Sequence, residues 1–222
     1  MKYRHYSFRH AGVIFHEPEF VEQFYEMIGI IENITEEDII QRHNNFGALN
    51  IEHTPMSLSK SINNILKDRF VEAGWNEESA IFQDNQYQGE TWRLDFAKDD
   101  ISIEVAFNHS SVIAWNLLKP VLASELNHVN KAIQTKLGVV ITATEALKRA
   151  GGFDGAVGTY EKYIEYLPPL NNVLTVPLLI IGLEPPETFH IEQFQHAPRK
   201  KIGKVVIKDL KTFLENDEGV QL

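Results

Sequence analysis

Cysteine is absent from the 222-residue chain, which excludes disulfides and thiolate zinc sites. Long apolar runs are missing too, and none could span a bilayer. The N-terminal stretch MKYRHYSFRHAGVIFHEPEF is broken by charges and histidines, unlike a secretory leader. These absences point to the cytoplasm, with no membrane as partner. No internal repeat or low-complexity segment occurs. A phosphate-cradling glycine loop is lacking as well, because Gly151-Gly152 follows a helical segment rather than opening one. Positive charge is in deficit: 21 Lys and Arg against 31 Asp and Glu leave a formal charge of −10. That counts mildly against a nucleic-acid partner, but the charge is segregated. Acids dominate Glu17 to Glu37, whereas Arg199, Lys200, Lys201, Lys204, Lys208 and Lys211 cluster near the end. The cluster reads either as a solvated face or as a phosphate-binding strip.

Hydrophobic content of 43% and charged content of 23% suit a folded chain of this length. One domain over residues 1–222 is expected, with a core at about 57–183, a helical N-terminal part (1–56) and a C-terminal extension (184–222). Helices are predicted over Glu17–Glu32, Thr35 to about His43, and Met56–Ala73. The third carries the stripe Ile62, Ile65, Leu66, Phe70, with Ser57 or Ser59 as cap and Gly74 as stop. A short strand follows at Ser79–Gln83. Ile113–Lys136 reads as one long helix bent at Pro120 and ended by Gly138. Val139–Thr144 and Val176–Leu183 read as buried strands, separated by helices at Glu145–Ala150 and Tyr160–Tyr166. Between about 57 and 144 the order is helix, three strands, helix, strand, an α/β layout with a mixed central sheet flanked by helices.

The most informative stretch is WRLDFAKDDISIEVAFNH, Trp92 to His109. Trp92, Leu94 and Phe96 alternate with Arg93, Asp95 and Ala97; Ile101, Ile103, Val105 and Phe107 alternate with Ser102, Glu104 and Ala106. Lys98-Asp99-Asp100 is turn chemistry. A two-residue turn at Asp99-Asp100 sets Lys98 opposite Ile101, and counting back sets Asp95 opposite Glu104 and Arg93 opposite Ala106. Like charges facing each other destabilise a sheet. The pair reads either as acids on a solvated face or as a site for a hard divalent cation. Val-Ala-Phe after Glu104 continues the strand without a solubilising charge, which favours a covered carboxylate in need of a partner. The histidines compete weakly. His5, His10 and His16 are dispersed, and His128, three residues after Glu125, suits packing or hydrogen bonding better than ligation.

Asp95, eight residues, then Glu104-Val105 looks like the PD-(D/E)xK nuclease motif. With HTPMSLSKSINNIL and its following GW, SELNH, and VPLLIIGL, the run DFAKDDISIEVAF resembles the BglII/BstYI family of type II restriction endonucleases, from about Tyr3 to Leu183. The resemblance implies a PD-(D/E)xK core, a homodimer, and Mg²⁺-dependent hydrolysis of double-stranded DNA at a GATC-centred palindrome in a prokaryotic cytoplasm. It also implies that Asp95, Glu104 and the Val105 carbonyl hold the metal, with Glu78 near a third active-site position.

The position two after the glutamate is Lys in the general motif and Gln in this family, but here it is Ala106. Another group substitutes, water suffices alone, or catalysis is impaired. Arg93 is the first substitute to consider and Lys119 the second; Lys119 is also a candidate DNA contact. Base readout falls to Asn108, His109, Ser110 and Ser111 after the catalytic strand, and to Asp154 in the loop 151–159, against the alternative of ordinary polar turns. The competing functions are a DNA-binding protein that lost hydrolysis and a non-specific repair or defence nuclease.

Overall fold

Unbroken apolar strands must be covered on both faces, and helices with matching apolar stripes supply the cover. A computed structural model describes residues 1–125 and 129–208. The chain runs β1 (Tyr3–Phe8), α1 (Ala11–Ile14), α2 (Val21–Glu32), α3 (Glu36–Gly47), α4 (Ser59–Glu72), β2 (Asn76–Ala80), β3 (Arg93–Lys98), β4 (Ile101–Val105), α5 (Ile113–Ser124), β5 (Leu137–Ala143), α6 (Glu145–Ala150), α7 (Tyr160–Tyr166), β6 (Leu178–Leu183), β7 (Phe189–Ala197) and β8 (Lys200–Ile207). Six strands form one sheet in the order β1-β6-β5-β4-β3-β2. The β4–β5 and β5–β6 pairs are parallel and the others antiparallel. The expected mixed α/β layout is therefore present as α4-β2-β3-β4-α5-β5.

Ile31, Ile62, Phe70 and Leu147, from α2, α4 and α6, pack with Ile103, Val139, Ile141 and Ile181 on one face. On the other face, Leu117, Val121 and Tyr163 from α5 and α7 pack with Val140, Leu178 and Ile180. Each such side chain contributes about 1.5–3 kcal/mol by leaving water. The α4 stripe Ile62, Ile65, Leu66, Phe70 is buried throughout, and Gly74, at φ 82°, supplies the left-handed residue that ends the helix. Thr35 and Asp38 form a capping box at the start of α3.

Four expectations change. The N-terminal part is not only helical, because β1 pairs antiparallel with β6 from Tyr3–Leu183 to Phe8–Leu178 and so joins the central sheet. Its side chains are largely exposed on both faces, so no apolar alternation marks it. The long helix stops at Ser124. The chain then returns beside the 81–83 segment, where the Gln83 and Ala132 amides donate to Asn130 and Ile81 carbonyls, and Gly138 lies inside β5. The strand expected at Ser79–Gln83 begins earlier, as β2. Leu58, rather than a serine, occupies the N-cap of α4. His128 and Lys211 lie outside the described residues.

The C-terminal extension forms a separate two-stranded ribbon, β7–β8. Its base is rooted in the core through buried Phe189 and Ile191. The Gly203 amide donates to the Pro55 carbonyl at 2.9 Å, and buried His43 bonds Ser61 Oγ and the Gly203 carbonyl.

Candidate active site

The turn at Asp99-Asp100 forms as counted, with Asp99 at φ 47° and the ladder running Lys98–Ile101, Ala97–Ser102, Phe96–Ile103. There it stops. The next pair, Asp95 and Glu104, does not continue the backbone ladder. Instead Asp95 Oδ2 accepts the Val105 amide at 2.7 Å, and the Ala106 amide turns away to the Ile141 carbonyl of β5 at 2.8 Å. The two strands thus part where the two acids meet, and a carboxylate fills a position a backbone carbonyl would otherwise take.

Glu104 is nearly inaccessible, at 2% exposure. It lies in register with Val140, whose side chain packs with α5 and α7, and from α5 Lys119 Nζ donates to Glu104 Oε2 at 2.7 Å. The pair is buried at both ends, with side-chain exposures of 11% for Lys119 and 3% for Glu104. The other oxygen, Glu104 Oε1, is buried and has no hydrogen-bond partner, an expensive arrangement for a carboxylate unless a ligand meets it. Burial first, and then the Asp95 charge, push the Glu104 carboxyl up to about 8, against the pull of Lys119. Burial also raises Asp95; the Val105 amide and Lys119 oppose this, and the Glu78 charge adds to it.

Glu78 does fall near this pair. The β2–β3 ladder pairs Glu77 with Phe96 and Ser79 with Leu94, skipping Glu78 and Asp95 between them. Glu78 has φ 47°, a left-handed conformation uncommon for a residue with a side chain, and its carboxylate is exposed. Among the described residues no group of three or more His, Asp or Glu side chains converges in metal-ligand geometry. Two carboxylates are nonetheless a sufficient protein contribution for a hard divalent cation that keeps several waters and takes substrate oxygens. The unpartnered Glu104 Oε1 suits such an ion.

Arg93 does not take the place left by Ala106. The cross-strand pair expected between them never forms, because the ladder has ended. Arg93 instead pairs with Ala80 on β2 and reaches the Gln88 carbonyl at 3.3 Å through Nη2. It makes no ion pair with Asp95 or Glu104, so its alternative role as their structural salt-bridge partner is not realised either. Lys119, expected as a substitute or a DNA contact, is the cation that reaches the acids.

Asn108, His109, Ser110 and Ser111 follow β4 and are stitched to the 151–159 loop. The Ser110 amide donates to the Ala156 carbonyl at 2.7 Å and the Gly158 amide to the Asn108 carbonyl at 3.0 Å. His109 Nδ1 accepts the Ser111 amide at 3.0 Å, which fixes that tip. Asp154 turns Oδ1 back to the Ala156 amide at 2.8 Å and so braces its own loop. Two residues escaped the sequence reading. Buried Asn116 donates from Nδ2 to Tyr163 Oη at 2.7 Å and to Asn108 Oδ1 at 3.1 Å. Burial raises the Tyr163 hydroxyl far above its usual range, so it stays a neutral hydrogen-bonding group. A polar residue one turn before Lys119 on an otherwise apolar helix was the available signal.

A family model described as restriction endonuclease BglII/BglIII matches residues 3–183. No curated protein sequence matches the chain. Among solved structures, restriction endonuclease BglII complexed with a DNA 16-mer is similar at 17% identity and a TM-score of 0.62, covering 94% of this chain and 100% of that one. Free BglII gives 17% identity and a TM-score of 0.54 over the same coverage. At this identity the structural likeness speaks for the fold.

Proposed function

Because the chain belongs to the BglII/BglIII restriction endonuclease family, whose members are site-specific deoxyribonucleases, we propose that it cleaves double-stranded DNA as a Mg²⁺-dependent homodimer at a GATC-centred palindrome. The observation that carries this reading is the buried Asp95–Glu104–Lys119 cluster, with one glutamate oxygen paired to the ammonium and the other left without a partner.

Phosphodiester hydrolysis adds water oxygen to phosphorus and breaks the bond to the 3′ oxygen, which leaves with a proton. Asp95, Glu104 and the Val105 carbonyl would hold Mg²⁺, which supplies charge relief on the phosphate. Asp95 is oriented by the Val105 amide. Lys119 does the work of the side chain absent at Ala106, offering donors beside Glu104 to orient the water or a phosphate oxygen. An ammonium on the adjacent helix delivers this without a long side chain just past β4, where Ala106 packs with Ile113 and Leu117. Asn108–Ser111 and the 151–159 loop stand at the mouth for base contacts. The DNA 16-mer in the BglII complex supports DNA as substrate, and a two-fold site asks for a two-fold enzyme.

Ala106 also favours a second reading, a duplex-binding protein that no longer cuts. Plasmid DNA incubated with the protein in Mg²⁺ separates them. Discrete fragments are expected; binding without cutting supports the second reading, and smearing a non-specific nuclease.

A further inference from the structure

We propose that Asn116 and Tyr163 are positioning residues that hold the Asn108 side-chain amide in one orientation, so that it offers DNA a donor and never an acceptor. This rests on the endonuclease reading above and deepens it. It assigns a polarity to one DNA contact and a purpose to two buried polar residues that hydrolysis leaves unused.

Three observations carry it. Asn116 is 3% exposed and Tyr163 fully buried, the latter in the apolar cluster with Leu117 and Val121 of α5. Both Asn116 amide hydrogens are engaged, because Nδ2 donates to Tyr163 Oη at 2.7 Å and to Asn108 Oδ1 at 3.1 Å. Asn108 itself is exposed. Its backbone carbonyl accepts the Gly158 amide at 3.0 Å, and its Nδ2 makes no hydrogen bond among the described residues. Finally, the chain ties this trio to the acids. Asn108 follows by three residues Val105, whose amide bonds Asp95, and Asn116 lies one helical turn before Lys119, which bonds Glu104.

Two arrangements would join these groups: Asn116 donates to both neighbours, or accepts from both. The acids decide between them. Burial above all, and then the charges of Glu104 and Asp95, keep the Tyr163 hydroxyl protonated, against the Asn116 bond. A hydroxyl in the field of two acids turns its hydrogen toward them and leaves a lone pair for Asn116. Asn116 therefore donates on both sides, Asn108 Oδ1 is occupied, and the Asn108 Nδ2 hydrogens remain free. Their complement is an acceptor: N7 or O6 of guanine, N7 of adenine, O4 of thymine, or a phosphate oxygen. The amino group of cytosine finds no partner there.

The test measures binding in Ca²⁺ to a duplex that the wild type selects from a random pool, and to an unrelated duplex. Full-chain variants are used, each compared with the wild type by thermal melting. Asn108→Asp keeps the shape but replaces the donors with an acceptor, and should bind the selected duplex on the order of a hundredfold more weakly. Tyr163→Phe keeps the ring and releases Asn116, and should lose about threefold to tenfold. A loss confined to the selected duplex supports the proposal with a base as acceptor; an equal loss on both supports it with a phosphate. Positioning is read from a double variant. In an Asn108→Ala background, Tyr163→Phe should weaken binding no further, because it acts only through Asn108. Additive losses overturn the proposal, as does a Tyr163→Phe protein that melts earlier yet binds like the wild type. Wild-type affinity in Asn108→Asp overturns the donor assignment. A wild type that selects no sequence and cuts no duplex instead fails the endonuclease reading, and the inference falls with it.

Discussion

Between the β3–β4 hairpin and the β7–β8 ribbon the construction is the same, two antiparallel strands and a tight connection, while burial and charge are reversed. Every residue of β4 is buried, and the pair carries Asp95 and Glu104 in the middle of the sheet. Most of β7 beyond Ile191 is exposed, and its partner strand carries three lysines, of which Lys204 stands in register with Glu192. A carboxylate in the interior costs several kcal/mol unless paired, whereas an exposed lysine costs next to nothing. The inner hairpin thus sets its titratable groups inside the fold, where burial shifts them, and the outer ribbon sets its charges in water. Net charge, summed over both, conceals the division.

Removing the acids of the inner hairpin should have the largest effect. Asp95→Asn or Glu104→Gln is expected to slow cleavage by a thousandfold or so, the several kcal/mol that a cation contributes to phosphoryl transfer, while the fold survives by circular dichroism. Unchanged Mg²⁺-dependent cleavage in either variant sinks the site. Next in size is Lys119→Gln. The single-turnover rate should fall roughly a hundredfold with binding in Ca²⁺ little altered, and Ala106→Lys in the same chain should recover part of the loss. Full activity without Lys119 removes it from the mechanism.

The proton on Glu104 sharpens the contrast further. Its carboxyl is pushed from 4.5 to about 8 in the fold, so between those values the native state holds a proton that the unfolded chain has released. Native stability therefore falls as pH rises through this window and levels above about 8. In EDTA, the melting temperature of Glu104→Gln should gain on the wild type from pH 5 to 9. A divalent cation competes with that proton, so apparent Mg²⁺ affinity should climb up to about pH 8. Affinity that is flat from pH 6 to 9 contradicts the assignment. The smallest effect belongs to Arg93→Ala, which gives up one hydrogen bond to Gln88: stability should drop by about 1 kcal/mol with cleavage near wild type. A severe cleavage defect restores Arg93 as a candidate.

The hairpin was legible because its signals were local: alternation on both sides, a turn pair between them, and a register that follows by counting. The same holds for α6 and α7, whose ends coincide with the sequence reading. Counting failed where the ladder ended. Counting sets Arg93 opposite Ala106 only while β3 and β4 stay paired, and Asp95 intervenes with its side chain. Lys119 was visible as a residue and not as a neighbour, since its approach to Glu104 depends on how α5 crosses the sheet. Edge strand β1 had no apolar face to declare it, and α5 ended early because its downstream chain found partners at 81–83, a choice made by tertiary contacts.

The pairing of β1 with β6 joins Tyr3 to Leu183, and this sets an order of events. A closure across some 180 residues costs about 5 kcal/mol in chain entropy before any contact repays it. The sheet's outer edge should therefore form late in folding, after the hairpin and the β5–β6 pair. A growing chain cannot complete the edge until β6 has emerged. Amide exchange during refolding should find the β1 amides protected after those of β4, and for an enzyme that cuts DNA such lateness delays the finished fold until nearly the whole chain has been made.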